Sequence, residues 1–131
     1  MQKINRIQSF QYAFAGIWYT LRTQRNAQIH LTIAILIFAL GLALNITLTE
    51  WAIVALTMGF VMVTEMLNTV AESAMDYATT DYNPHVKVVK DVAAGAVLVS
   101  ALTAVVVGLL ILGPRLLAWL TTLTAGGMSS R

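Results

Sequence analysis

Glu65, Asn68, Glu72 and Asp76 follow one another at spacings of three, four and four residues in an otherwise apolar stretch. On an α-helix Asn68 falls roughly 60° from Glu65, and Glu72 and Asp76 about 20° from it, so all four share one narrow sector. The chain has six acidic residues, and three stand in this sector. Carboxylates facing lipid or a helix core are costly, and are kept chiefly where a cation or a reaction needs them. Glu65 is the strongest case, because the 14 residues Trp51–Thr64 before it carry no charge. Asp76, nearest water, reads equally well as a hydrated helix end that pairs with Lys87 or Lys90. Glu65 and Glu72 are about 10 Å apart along a helix axis, which allows one to act as a base and the other to bind a cation.

A second group, Asn83-Pro-His-Val-Lys-Val-Val-Lys-Asp91, leads into the small-residue run Val92–Val97. Such a run predicts close packing against another helix. Lys90 at its entrance can reach a phosphate as a compact point charge. His85 reads as an exposed loop residue and His30 as an interfacial one, neither with a chemical role. Carboxylates with a facing lysine suit phosphoryl transfer: a divalent metal on a carboxylate, a lysine on phosphates, and a second carboxylate orienting the attacking hydroxyl. No GxxxxGK[ST] segment or kinase-type glycine loop occurs, which excludes the common soluble nucleotide folds. A proton or cation conduit is the physical rival, since intramembrane acids also mark relays.

The elements that must carry these groups are membrane helices. Hydrophobic residues make up 58% of the chain and charged ones 11%, against about 25% charged in ordinary soluble domains. Apolar runs predict spans over Leu31–Leu48, from Trp51 into the acidic stripe, and over Val92–Leu112, the last stopped by Gly113-Pro114. With their flanks these give a single domain over 1–131, with spans at about 29–48, 51–76 and 91–112 and a tail at 113–131. Phe10, Phe14, Ile17, Trp18 and Leu21 recur at helical spacing, predicting an amphipathic helix over about 5–27 on the membrane surface. Lys3, Arg6, Arg22 and Arg25 precede the first span and Lys87 and Lys90 the third, whereas only Arg115 and Arg131 lie beyond it. By the positive-inside rule the N-terminus and the loop at Tyr77–Lys90 are cytoplasmic, on the side where nucleotides are found. Cysteine is absent, and no basic stripe interleaved with aromatics suggests nucleic acid.

The pattern Glu65-x-x-Asn68-Thr-x-x-Glu72-x-x-x-Asp76, followed by Lys90-Asp91-x-Ala-Ala-Gly-Ala, resembles the prokaryotic integral-membrane diacylglycerol kinase family, which includes undecaprenol kinases. Ser9–Gly16, Arg22–Asn26 and Ile29-His30 also resemble it, so the likeness spans residues 5 to 112. It implies an all-α membrane protein with an N-terminal surface helix and three transmembrane helices per chain, assembled as a homotrimer with shared sites. It implies ATP- and magnesium-dependent phosphorylation of a lipid alcohol, undecaprenol or diacylglycerol, at the cytoplasmic face of the plasma membrane. Carried over by position, Glu65 resembles the general base and Glu72 a metal ligand that also faces ATP. Asn68, Asp76, Lys90 and Asp91 resemble nucleotide-side groups, and Tyr12 a position near the nucleotide. Where the family usually has a second metal-binding Glu in the surface helix, this chain has Gln24, which can ligate magnesium but brings no charge. A kinase relative impaired by this change is therefore a further alternative. The order Asn83-Pro84-His85 departs from the His-Pro order of the undecaprenol branch.

Overall fold

The computed structural model describes residues 5–128; Lys3 and Arg131, used above to orient the chain, lie outside them. Four helices follow in order: α1 (Arg6–Thr23), α2 (Arg25–Ala43), α3 (Leu48–Ala78) and α4 (Pro84–Met128). The helices α2, α3 and α4, the last over Pro84–Thr122, are each long and apolar enough to cross a membrane. With 31 residues, α3 is about 46 Å long, well beyond the roughly 30 Å of a hydrocarbon core, so part of it extends out of the bilayer.

Helix α1 ends four residues before the expected boundary. Gln24 is extended and serves both neighbours: its N–H donates to Thr20 O (2.9 Å) and its carbonyl accepts from Gln28 N (3.2 Å). The Gln28 amide donates to Leu21 O (3.1 Å) and Arg22 O (3.3 Å), satisfying carbonyls left open at the end of α1. Thr20 is the one residue of α1 that is buried, while Phe10, Tyr12, Phe14, Ile17 and Trp18 are exposed.

The α2–α3 turn follows from a short sequence, Gly41–Trp51. Asn45 takes the left-handed conformation (φ 51°), Ile46 N donates to Gly41 O (3.2 Å) and Asn45 N to Leu42 O (3.3 Å). This is a Schellman stop, with Asn in the place that glycine commonly fills. The first span therefore ends at Ala43 rather than at Leu48. Thr47 and Glu50 then form a capping box: Thr47 N donates to Glu50 Oε2 (2.6 Å) and Glu50 N to Thr47 Oγ1 (3.3 Å). Ile46 and Trp51, either side of the cap, join one apolar cluster with Val54 and Leu112. Trp51 is half-buried here, its ring centroid 5.0 Å from that of Phe38.

Helices α3 and α4 form the most extensive pair in the fold. Three polar ties set their antiparallel register: Arg115 with Glu50, Ser100 with Thr64, and Lys90 with Asp76. The Arg115 guanidinium also donates to Leu44 O (3.3 Å) and Asn45 O (3.1 Å), closing the α2–α3 turn onto α4. This clamp accompanies a departure from expectation, since Gly113-Pro114 does not stop the third span and α4 continues to Met128. Proline removes one backbone donor and crowds the preceding turn, but membrane helices tolerate it where neighbours satisfy the freed groups. The small-residue run lies in this α3–α4 pair, as expected: its last residue, Val97, is buried, as is Ser100 beyond it, while space is open around the position of a Gly95 Cβ. Asn83 caps α4, its Oδ1 accepting from His85 N (2.9 Å), with Pro84 in the first turn where no N–H is needed.

Gly41 is where a side chain cannot be added freely. A Cβ there would stand 2.8 Å from Trp51 Cη2 and 3.1 Å from Ile46 Cδ1. Gly41→Ala is expected to destabilise the fold by about 1–3 kcal/mol, as overpacking usually does. Thermal unfolding in detergent checks this; an unchanged transition would mean that the indole moves aside without cost.

Candidate active site

The stripe on α3 occupies one face, as its spacing requires, but its members meet different surroundings. Glu65 is 1% exposed and Asn68 is 8% exposed, whereas Glu72 is half-buried and Asp76 open to solvent. Burial falls toward the loop: His30 of α2 stands against Glu65, whose neighbour Thr64 is bonded to Ser100 of α4, whereas Asp76 lies two residues from the end of α3. The Thr64–Ser100 hydroxyl pair (2.8 Å) fixes α3 against α4 one residue before Glu65.

The structure brings together some of the predicted residues and leaves others apart. Asn68 Nδ2 donates to Glu72 Oε1 (3.0 Å), orienting the carboxylate that the sequence assigns to metal. Lys90 is ion-paired with Asp76, and Lys87 with Asp91; of the groups expected on the nucleotide side, Asp76, Lys90 and Asp91 line a depression at the α3–α4 loop with Thr79, Tyr82 and Asn83, and Asn68 does not. Tyr12 stands exposed on α1. Gln24, half-buried at the α1–α2 break, makes no side-chain hydrogen bond among the described residues. Among the described residues no three His, Asp or Glu side chains cluster as a metal cage.

His30 is the residue that sequence reasoning missed. Its Nε2 lies 3.2 Å from Glu65 Oε1, close enough for an ion pair yet without hydrogen-bond alignment, and Oε1 has no hydrogen-bond donor. Asn68 Oδ1 is likewise buried without one. His30 also lines an apolar cavity of about 390 Å³ along α2, α3 and α4, with Ile37, Val54, Met58, Val105 and Leu112. The available signal was a histidine set inside the apolar face of α2, but the sequence alone gave no means of knowing what lay across from it.

The profile of the family described as "Prokaryotic diacylglycerol kinase" matches residues 11–112. The chain belongs to that family. It is also 40% identical to an undecaprenol kinase of Bacillus subtilis over 115 residues, covering 87% of this chain and 94% of the relative. A diacylglycerol kinase of Synechocystis sp. is 41% identical over 115 residues, covering 87% of this chain and 66% of the relative. No solved structure matches significantly. Family membership makes this protein a membrane lipid kinase, and the rival readings, a non-enzymatic conduit and an impaired relative, are not favoured.

Proposed function

We propose that the protein transfers the terminal phosphoryl group of ATP to the hydroxyl of a membrane lipid alcohol, undecaprenol in preference to diacylglycerol. The observation that carries the chemistry is the enclosed Glu65 carboxylate, with one oxygen lacking a donor, on the same helix face as the more exposed Glu72. The preference for undecaprenol draws support from the relative of that name, matched over 94% of its length. The loop order Asn83-Pro84-His85 does not favour it.

In this reading the lipid enters sideways from the bilayer and Glu65 takes the proton of its hydroxyl as the oxygen attacks the γ-phosphorus. The bond between that phosphorus and the β–γ bridging oxygen breaks, and ADP leaves. Glu65 requires no water contact for this, since a base must only be within hydrogen-bond reach of the proton it takes. Lys90, held at the rim by Asp76, presents a point charge toward the phosphates, the kind of electrostatic support that usually dominates such catalysis. Asn68 holds Glu72 at one oxygen and leaves the other for a cation.

The donor set fits magnesium, which is commonly held by one or two carboxylates together with substrate phosphates rather than by an all-protein cage. Bound there, it would neutralise charge on the β- and γ-phosphates. Gln24 is a candidate second ligand by depth. His30 and Glu65 are in register across antiparallel α2 and α3. Gln24, six residues before His30, and Glu72, seven after Glu65, are then both displaced by about 9–10 Å toward the same end. We further infer that α1 lies on the cytoplasmic membrane surface with its aromatic side chains in the headgroups. The N-terminus and the α3–α4 loop would share that side of the plasma membrane. The exposed faces of α2 and α4 leave room for the homotrimer that the resemblance implies.

Glu65→Gln keeps the shape of the base but cannot accept the proton. Its kcat is expected to fall roughly 10²-fold or more, with ATP binding retained; near-normal lipid turnover would remove Glu65 from this role. Gln24→Glu adds an anion at the metal site and is expected to shift half-saturation to lower free magnesium, with the maximal rate kept. A magnesium titration at saturating ATP checks this, and an unmoved midpoint would leave Glu72 as the sole protein ligand.

A further inference from the structure

We infer that His30 is a positioning residue that holds the Glu65 carboxylate for proton abstraction; this rests on the assignment of Glu65 as the base. Other polar side chains near Glu65 are already committed. Thr64 is bonded to Ser100 and to Val61 O, Thr69 Oγ1 donates to the backbone carbonyl of Glu65 (2.9 Å), and Asn68 Nδ2 is taken by Glu72. His30 Nε2, 3.2 Å from Oε1, is the remaining polar contact of this carboxylate among the described residues.

A carboxylate buried without a donor is free to rotate about its terminal bond, whose torsional preference is broad. Proton abstraction needs one lone pair aimed at the lipid hydroxyl within about 3.5 Å, so an unfixed base loses rate through misplacement. An imidazole N–H on Oε1 leaves Oε2 as the reacting oxygen and fixes the carboxylate plane. The present contact is short of alignment, as catalytic hydrogen bonds often are before substrate binds. The backbone that carries His30 is anchored nearby: it follows Ala27, which is fully buried, by one turn, and Gln28, which ties α2 to the end of α1. Its side chain is 21% exposed, so the ring retains the small freedom needed to close on Oε1. Its second nitrogen is a donor or acceptor according to tautomer, and only the Nε2–H form serves Glu65.

A double-mutant cycle on the full-length enzyme in detergent micelles tests this, with kcat and KM for ATP and for the lipid alcohol measured in each variant. His30→Leu is expected to lower kcat roughly 10- to 100-fold, with both KM values near wild type, because it misplaces the base without touching ATP. His30→Gln, whose amide can donate to Oε1, is expected to recover part of that loss. In a Glu65→Gln background neither substitution is expected to lower the residual rate further, since groups acting as one unit are not additive. Full multiplication of the two losses would overturn the inference, as would an unchanged kcat in His30→Leu or a loss confined to lipid KM. If His30→Leu fails to assemble, His30→Gln carries the same cycle, with a smaller loss expected and the same non-additivity required. Loss of rate in Glu65→Gln without any in the His30 variants would overturn the positioning role alone. No loss in Glu65→Gln would overturn the base assignment and the positioning role together.

Discussion

The antiparallel register of α3 and α4 is the constraint on which the rest of the site depends. It is set at three levels by polar ties spaced along the pair: Glu50–Arg115 at one end, Thr64–Ser100 in the interior, and Asp76–Lys90 at the other end. A membrane helix pair gains little from apolar burial, because lipid tails are as apolar as leucine, so close packing and a few hydrogen bonds must fix the alignment. The interior tie is the most protected, with Ser100 1% and Thr64 7% exposed. A slip of one residue would rotate the stripe by about 100° away from its present face. The Arg115 clamp adds a further role, since the same guanidinium holds the carbonyls at the end of α2 and so carries the register to the first span.

That alignment grades the stripe by depth. Glu65 is enclosed beside His30, Asn68 and Glu72 form a half-buried pair, and Asp76 with Lys90 lies at the rim. An alcohol dissolved in the bilayer and a nucleotide dissolved in water approach from opposite directions, so a kinase acting on both needs a base on the membrane side and phosphate-binding groups on the water side. One helix, about 46 Å long, spans both environments without a break. In the function proposed above, splitting the duties between Glu65 and Glu72, about 10 Å apart, would also keep the base away from the charge that a metal would bring.

The stripe was legible because helical periodicity alone puts Glu65, Asn68, Glu72 and Asp76 on one face, and the spans because long uncharged apolar runs have few other uses. The break at Gln24 was not, since neither glycine nor proline marks it and its support comes from Gln28, a residue in the next helix. The early end of α2 was in principle readable from Asn45, which tolerates the left-handed conformation, and from the Thr47-x-x-Glu50 capping box. The run through Pro114 depended on what Arg115 would meet some 65 residues earlier in the chain. His30 was set aside for the same reason. A contact between two helices cannot be read from the local pattern of either, and a histidine on an apolar helix is usually an interfacial residue.

The central claim, that an enclosed carboxylate on a membrane helix serves phosphoryl transfer to a lipid alcohol, is tested most directly by label transfer. Purified protein in detergent would be given ATP labelled at the γ-phosphate, with magnesium and in turn undecaprenol, diacylglycerol, ceramide or no lipid. The account predicts label in the lipid phase, strongest with undecaprenol, and ATP consumption that depends on the alcohol. ATP consumption unaffected by any lipid, or no label in any lipid, would contradict it.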